Sequence, residues 1–286
     1  MRVLVTGGSG FVGRQIVAAL QARGATVLAP TRRQADLLSA TGRRSAVAAA
    51  RADVLVHAAW VTQPGAYWHS PENLDWVGAT LDLARLFASA GGRRAVLVGS
   101  CAEYDWTAAG AAPLPETHPC RPHTPYGAAK LLAWTLLAGS GLSAVNARLF
   151  WPVGPHEHPD RLLPGLVRAV LAGQPVATGP AGLTRDLIDV RDAGAAVAEV
   201  ALAAVEGVVN IGAGRPVRLG ALAEAVAGTG SVLVRLGARP LPPGEALVLR
   251  PDVTRLRAAT GFAPRIPLDR TIADAFAHWR ALDRAA

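Results

Sequence analysis

Cysteine is scarce in this sequence, with only Cys101 and Cys120 among 286 residues. Two cysteines do not make a disulfide framework, and these two lack the spacing of metal ligands. No apolar run reaches spanning length, because Glu199 interrupts the Ala/Val-rich stretch around 193–205. Met1 leads directly into a predicted strand rather than into the charged and apolar segments of a signal peptide. We therefore expect a cytoplasmic protein that holds no metal.

Lysine is scarcer still, because only Lys130 of the 29 basic residues is not an arginine. The formal net charge is +8, but the arginines are scattered and no basic run is longer than two residues. This distribution, without a recognisable nucleic-acid motif, argues against a nucleic-acid partner and is compatible with a small anionic substrate. A hydrophobic content of 51% excludes a disordered chain.

The single lysine lies four residues after one of the three tyrosines, in the segment Tyr126-Gly127-Ala128-Ala129-Lys130. On a helix, positions i and i+4 share a face, so the phenol and the ammonium can converge on one ligand. A nearby cation stabilises phenolate and lowers the pKa of a tyrosine from about 10 toward a range useful for proton transfer. The alternative is an exposed tyrosine and a solvated lysine. We favour an acid/base pair, since a chain that otherwise uses arginine has an ammonium here.

A glycine-rich turn, Gly7-Gly8-Ser9-Gly10-Phe11-Val12-Gly13, follows the first predicted strand at 2–6 and precedes a helix-period pattern. We expect Gly7 to allow the tight turn, Gly10 to let backbone amides approach a pyrophosphate, and Gly13 to permit close packing of helix on strand. An ordinary glycine loop is the alternative for the pattern alone. Strand, turn and helix in this order predict a dinucleotide-binding site.

The second predicted strand, at 25–29, is followed by Pro30-Thr31-Arg32-Arg33. A cofactor with a free ribose 2′-hydroxyl favours an acidic residue about 20 positions past the glycines. Thr31, Arg32 and Arg33 stand there instead, and their positive charge suits a 2′-phosphate. We therefore expect NADP(H) in preference to NAD(H), with a solvated arginine-rich loop as the alternative.

Strands and helices alternate along the first half of the chain. A predicted strand ends in the small residues Ala58 and Ala59, which would let the backbone pass close to a cofactor. Ser100 follows another predicted strand, at the edge where ligands bind in open parallel sheets. The alternation predicts a doubly wound parallel sheet, and we assign residues 1–150 to a dinucleotide-binding domain.

Beyond Phe150 the pattern changes, because prolines interrupt the chain at Pro152, Pro155, Pro159 and Pro164. Shorter predicted helices then alternate with loops and short strands. We expect residues 151–286 to form mainly a smaller lobe that covers the strand ends, with some segments returning to the first domain.

The glycine motif Gly7-x-x-Gly10-x-x-Gly13, Ser100 and Tyr126-x-x-x-Lys130 occur together. With these in place, the sequence resembles the extended short-chain dehydrogenase/reductases, the NAD(P)-dependent epimerase/dehydratase family that acts mainly on nucleotide sugars. Further matches are Arg148-Leu149-Phe150-x-x-x-Gly154-Pro155, Arg185-Asp186-Leu187-Ile188-Asp189-Val190-x-Asp192 and Val209-Asn210-Ile211-Gly212-x-Gly214. The resemblance covers essentially the whole chain and implies a Rossmann-type α/β fold with a smaller C-terminal substrate-binding lobe.

The resemblance implies roles for individual residues. Tyr126 would exchange a proton with a substrate hydroxyl or carbonyl, and Ser100 would hydrogen-bond the same oxygen. Lys130 would lower the pKa of Tyr126 and hold the nicotinamide ribose. The implied cofactor-binding residues are Gly7, Gly10, Phe11, Val12, Gly13, Thr31, Arg32, Arg33, Asp36, Leu37, Ala58, Ala59 and Lys130, with a short strand predicted near Asp36 and Leu37. The implied substrate-binding residues are Glu103, Tyr104, His156, Arg161 and Arg185.

Two of these substrate positions leave alternatives open. Arg185 falls where the family often contacts the substrate pyrophosphate, which suits bidentate guanidinium bonding. Its alternative is a surface arginine paired with Asp186 or Asp189. The histidines at His156 and His158 lack a cysteine or an organised carboxylate partner, so we expect no metal there.

Departures from the family pattern narrow the reaction. Sugar 4,6-dehydratases have an Asp-Glu pair directly after the hydroxyl residue, whereas this sequence has Cys101 and Ala102. Glu103 comes one position late and would point elsewhere. Trp76 stands where the family commonly has asparagine, and Asp189 where it usually has histidine or an aromatic residue.

The function that we expect is NADPH-dependent reduction of a nucleotide-activated 4-keto-6-deoxy sugar, and not 4,6-dehydration. One alternative is a nucleotide-sugar 4-epimerase that retains bound NAD. Another, from a different class, is a non-catalytic regulator that binds a dinucleotide. A homodimer is an expectation from the resemblance, because family members often pair through two helices of the Rossmann domain.

Overall fold

A six-stranded parallel sheet forms the centre of the computed structural model, which describes residues 1–284. Its strands are β1 (Arg2–Thr6), β2 (Thr26–Leu28), β3 (Val54–His57), β4 (Arg94–Ser100), β5 (Ser143–Leu149) and β9 (Gly207–Ile211). They are arranged in the order β2-β1-β3-β4-β5-β9, and every pairing is parallel. The predicted parallel α/β fold is confirmed.

Helices cover both faces of this sheet because its buried strands are apolar on both sides. In β1, Val3 and Val5 pack on one face and Leu4 on the other, as the two-residue period of a strand requires. The first face is covered by α1 (Gly13–Ala22) and α6 (Val190–Leu202). The opposite face is covered by α2 (Ala40–Ala50), α3 (Glu72–Ser89) and α4 (Pro125–Ala138).

The order of the strands reverses next to β1. The chain runs from β1 through α1 to β2 on one side, and then returns to place β3 on the other side of β1. In open parallel sheets, ligands bind beyond the carboxyl ends of the strands at such a reversal. The turns after β1, β3 and β4 are therefore the expected edge for a ligand.

Most of the second half of the chain builds separate small sheets. A four-stranded sheet contains β6 (Trp151–Val153), β8 (Thr184–Asp189), β10 (Pro216–Arg218) and β12 (Val248–Leu249), and a two-stranded sheet contains β7 (Val176–Ala177) and β11 (Val234–Arg235). Three helices pack with them: α5 (Leu162–Ala172), α7 (Leu219–Ala227) and α9 (Leu268–Asp283). These elements share a core that includes Leu163, Leu166, Leu222 and Ile272.

Three other elements of the second half pack with the central sheet. They are α6, the edge strand β9, and α8 (Thr254–Thr260). Arg94 at the start of β4 holds the C-terminal end of α6 against the sheet, because its guanidinium donates to the backbone carbonyls of Val200, Ala201 and Val205 at distances of 2.7–3.0 Å.

The short strand predicted near Asp36 and Leu37 is wrong. Asp36 Oδ1 accepts a hydrogen bond from the Leu38 amide at 3.1 Å, and the Asp36 carbonyl accepts one from the Ser39 amide. Ser39 then caps α2 through its hydroxyl. The segment is therefore a turn that leads into a helix.

Among residues 1–284, no helix is both long and apolar enough to cross a bilayer.

Candidate active site

The turn after β1 leaves little room for side chains. Gly7 has a φ of +72°, which L side chains rarely adopt, and a Cβ there would lie 2.6 Å from the Ala59 nitrogen. A Cβ at Gly13 would lie 2.0 Å from the Gly7 carbonyl oxygen, so α1 begins tightly against the turn. The first turn of α1 contains no acidic residue that would offset the partial positive charge at its N-terminus. This glycine cradle, formed by residues 7–13, fits the pyrophosphate of a dinucleotide.

The predicted cofactor residues lie along this edge of the sheet. Gly10 closes the turn, since its amide donates to the Gly7 carbonyl at 2.9 Å. The half-buried members of the set beside the turn are Phe11, Val12, Ala58 and Ala59. The site residues that sequence reasoning assigned to the glycine turn and to the end of β3 are therefore neighbours.

The loop after β2 is exposed where the two arginines stand. The Thr31 amide and hydroxyl both donate to Gln34 Oε1, at 2.9 and 3.0 Å, and this fixes the turn. Arg32 and Arg33 are exposed, and Arg32 lies 3.7 Å from Asp36 in a weak surface pair. Leu37, in contrast, is buried in the core and contributes packing.

Ser100 and Tyr126 are brought together at the end of β4. Ser100 is the last residue of that strand, and Tyr126 lies in the first turn of α4, which begins with Thr124 as its N-cap and Pro125 at its first position. A Cβ at Gly127 would lie 2.2 Å from the Ala102 carbonyl oxygen, so α4 packs directly on the turn after Ser100. Sequence positions 26 apart are thereby placed at one point of the sheet edge.

The environment of this pair differs from the expected one. Burial raises the pKa of Tyr126, and the neighbouring Ser100 hydroxyl opposes that rise. Burial also lowers the pKa of Lys130 to about 7. The Lys130 amino group lies 6.0 Å from the centre of the Tyr126 ring and donates to the Val98 carbonyl at 3.0 Å. Burial has the larger effect on both groups, and for Tyr126 it opposes the expected lowering of the pKa by Lys130.

An aromatic wall that sequence reasoning missed lines the other side of Tyr126. The rings of Tyr67 and Trp68 meet Tyr126 edge-on, with centroids 4.8 and 5.6 Å away. Arg161, a predicted substrate residue, lies over the Tyr67 ring at 5.0 Å and donates to its hydroxyl at 3.4 Å. Two of the three tyrosines therefore contact each other. The aromatic residues in the loop between β3 and α3 were the sequence signal that could have indicated this part of the site.

Glu103 is a correction to the predicted substrate set. Its side chain is fully buried, where it accepts hydrogen bonds from the Ser100 amide at 2.8 Å and from Asn146 Nδ2 and Arg148 Nε at 2.7 Å each. The carboxylate is therefore occupied within the protein. Its bond to the Ser100 amide makes it a support for the turn that carries the Ser100 hydroxyl.

Tyr104 is corrected in the same way. It is fully buried, and its hydroxyl donates to Asn210 Oδ1 at 2.7 Å. The Arg148 guanidinium lies 4.4 Å from the centre of its ring. Tyr104 therefore connects the ends of β4, β5 and β9 from inside rather than facing a substrate.

Replacing Arg148 with alanine is expected to lower the free energy of unfolding by about 3–5 kcal/mol, because Glu103 would remain buried without its cationic partner. Urea denaturation of the two proteins measures this difference. The matched control is Arg23→Ala, which removes the exposed ion pair with Glu199 and should cost about 1 kcal/mol or less. Equal losses in both variants would contradict this account of the buried pair.

Arg185 is buried, and its environment favours a fixed orientation. Its Nη2 donates to Glu245 Oε1 at 2.5 Å, and the guanidinium stacks on the Trp151 ring at 4.9 Å. The alternative partners are engaged elsewhere, because Asp186 accepts from two backbone amides and Asp189 pairs with Arg191.

A series of aromatic contacts leads from Arg185 back to Tyr126 through Trp151, Trp106 and Trp68.

The segment after β6 contains the remaining predicted residue. His156 has a φ of +68° and its ring lies 4.3 Å from that of His278 in α9. Next to it, burial raises the pKa of Glu157 to about 8, although the Gly154 amide and Arg161 oppose that rise. Within residues 1–284, no group of three or more His, Cys, Asp or Glu side chains is arranged to hold a metal ion.

Comparisons with known proteins agree with this geometry. The sequence pattern of the NAD dependent epimerase/dehydratase family matches residues 3–212. A dTDP-glucose 4,6-dehydratase of Streptomyces niveus is 33% identical over 160 residues, which are 53% of this chain and 47% of that protein. A dTDP-4-dehydrorhamnose reductase of Streptomyces griseus is 36% identical over 131 residues, 45% of this chain and 42% of that protein. The chain therefore matches about half the length of these curated relatives.

A solved structure is similar over nearly the whole fold. The UDP-glucose 4-epimerase of Thermus thermophilus, in complex with NAD, superposes with a TM-score of 0.85 at 26% identity, covering 98% of this chain and 99% of that one. The parallel sheet and the glycine cradle place the chain in the class of Rossmann-type dinucleotide-binding folds. The chain belongs to the NAD dependent epimerase/dehydratase family.

Proposed function

We propose that this protein is an NADP(H)-dependent reductase of a nucleotide-activated 4-keto-6-deoxy sugar. The observation that carries the proposal is the convergence of Ser100, Tyr126 and Lys130 beside the glycine cradle. The side chains of Tyr126 and Ser100 both end in a hydroxyl group, and burial keeps the Tyr126 phenol protonated. This state suits a proton donor to a carbonyl oxygen, which is what a reduction requires.

In the proposed reaction, a bound nicotinamide cofactor supplies the hydride. Ser100 donates a hydrogen bond to the substrate carbonyl oxygen and orients it. Tyr126 gives its phenolic proton to the same oxygen as the alcohol forms. Lys130 provides positive charge nearby, which stabilises the phenolate that remains.

The residues after Ser100 argue against dehydration. Elimination of water needs an acid and a base, and carboxylates are the ordinary choice. Cys101 is buried, which raises the pKa of its thiol to about 12, and Ala102 has no ionisable group. Glu103 is bound to Arg148 in the interior. A reduction needs none of these groups.

The direct test is incubation of the purified protein with NADPH and a panel of dTDP-, UDP-, GDP- and CDP-linked 4-keto-6-deoxy sugars. We expect one NADPH consumed for each alcohol formed with one member of the panel. An epimerase is the second candidate, because the similar Thermus thermophilus structure is an epimerase with NAD. If the purified protein contains stoichiometric NAD and consumes no NADPH with any keto sugar, the reductase proposal fails and the epimerase is favoured.

Removing both arginines after β2 tests the cofactor preference. Arg32→Ala/Arg33→Ala should raise the KM for NADPH by about 10–100-fold, because a phosphate would lose charge-assisted hydrogen bonds. The KM for NADH should stay within about threefold, since its 2′-hydroxyl needs no cation. The control is Arg44→Ala, which removes an exposed arginine on α2. Parallel changes for both cofactors would refute the 2′-phosphate assignment.

A further inference from the structure

Trp60 lies beneath the amino group of Lys130. The ammonium nitrogen is 3.9 Å from the centre of the indole ring, which is within the range of a cation–π contact. Both side chains are buried, with exposed fractions of 8% for Trp60 and 3% for Lys130. Trp60 directly follows Ala58 and Ala59, so the residue beneath the lysine comes from the segment that borders the glycine cradle.

Asn73, in the first turn of α3, fixes the orientation of this indole. Trp60 Nε1 donates to Asn73 Oδ1 at 2.9 Å. The Asn73 amide nitrogen donates in turn to the carbonyls of Tyr67 and Ser70, at 2.8 and 2.9 Å. Asn73 is 1% exposed, so its bonds are protected from water. The same asparagine thus fixes Trp60 against Lys130 and anchors the backbone of Tyr67, whose ring contacts Tyr126.

The ring face of Trp60 matters because Lys130 has little other support for its charge. Burial lowers the pKa of Lys130, and Glu103 opposes that change from a distance. His57 faces the lysine from β3, but burial lowers its pKa to about 3, so it is uncharged at neutral pH. Tyr126 is on the same helix, and burial raises its pKa, so it too is uncharged. The indole and the Val98 carbonyl both contact the amino group directly.

We propose that Trp60, oriented by Asn73, is a positioning residue for Lys130 and supports its ammonium form in the buried site. The catalytic consequence of this contact rests on the proposed function. The contact itself does not, and the two are tested separately.

The single lysine makes the contact directly observable. Protein labelled with [ε-¹³C]lysine gives one side-chain NMR signal, which needs no assignment. Protons above the face of an aromatic ring are shifted upfield, so the Hε signal of Lys130 should lie upfield of that of free lysine. Its titration between pH 5 and pH 11 reads the pKa of Lys130.

Two replacements of Trp60 separate its ring face from its N–H group. In Trp60→Leu, we expect loss of the upfield shift and a fall of about 1.5 in the pKa of Lys130, which is the size of a desolvated cation–π contact. Trp60→Phe keeps a ring face and should restore most of the upfield shift and most of the pKa of Lys130. Asn73→Ala should weaken the shift, because the indole loses its anchor. Trp134→Phe alters another buried indole of the same core and should change neither.

Activity then tests the positioning role. Trp60→Leu should move the basic limb of the kcat profile to lower pH by the same amount as the NMR pKa, and Trp60→Phe should restore it. An unchanged Lys130 signal and pKa in folded Trp60→Leu would overturn the proposal. If no keto sugar is reduced even by the wild-type protein while the NMR shifts occur as described, the proposed function fails and the Trp60 contact stands.

Discussion

Replacing Tyr126 with phenylalanine is expected to lower kcat by about 10²–10⁴-fold, which is the usual contribution of a positioned acid or base. The ring is kept, so the edge-on contacts with Tyr67 and Trp68 remain. Only the proposed proton donor is lost. The KM for the cofactor should stay within about threefold, because the glycine cradle is unchanged. Steady-state kinetics with the keto sugar and NADPH give both quantities.

The control for this variant is Tyr104→Phe, which also removes one hydroxyl. The Tyr104 hydroxyl is buried and donates to Asn210, so its loss should cost about 1 kcal/mol of stability and leave kcat nearly unchanged. A Tyr126→Phe protein that retains more than a tenth of wild-type kcat would remove the phenol from the mechanism. Unchanged activity in every assay would favour the non-catalytic regulator.

The parts of the site that depend on local backbone requirements could be predicted from the sequence. Gly7 needs its positive φ whatever lies elsewhere in the chain, and Gly13 needs its missing side chain for the contact with Gly7. Tyr126 and Lys130 are four positions apart, so a helix alone sets their relation. Such features are encoded within a few residues, and periodicity or spacing reveals them.

The parts that depend on distant partners could not be predicted. Glu103 has a carboxylate that could bind a substrate, and the sequence alone predicted that role. In the structure, Asn146 and Arg148, more than 40 positions later, bind this carboxylate in the interior. Trp60 and Tyr67 lie in a loop that has no helical or strand period, so nothing local indicates what they contact. The turn at Asp36 has a different, local cause, because Ser39 caps the helix that follows and its amide bonds to the Asp36 carbonyl.

Lys130→Arg is expected to be nearly inactive, with kcat/KM lowered by about 10²-fold or more, although the charge is kept. The amino group fits between the Val98 carbonyl at 3.0 Å and the Trp60 ring at 3.9 Å. A guanidinium is larger and planar, and overpacking of such a site costs about 1–3 kcal/mol. It also cannot lose its proton, whereas burial lowers the pKa of Lys130 to about 7.

Stability against pH distinguishes this explanation from simple loss of a contact. The pKa of Lys130 is about 7 in the folded protein and near 10.5 in the unfolded chain, so the unfolded chain binds more protons between these values. The free energy of unfolding of the wild-type protein should therefore rise from pH 7 to pH 10 relative to Lys130→Met, which has no charge to remove. Lys130→Arg should show no such rise and should be less stable than Lys130→Met throughout, because its buried charge persists. Chemical denaturation of the three proteins at pH 7, 8.5 and 10 measures these differences, and equal stability of the arginine and methionine variants would refute the buried-ammonium account of Lys130.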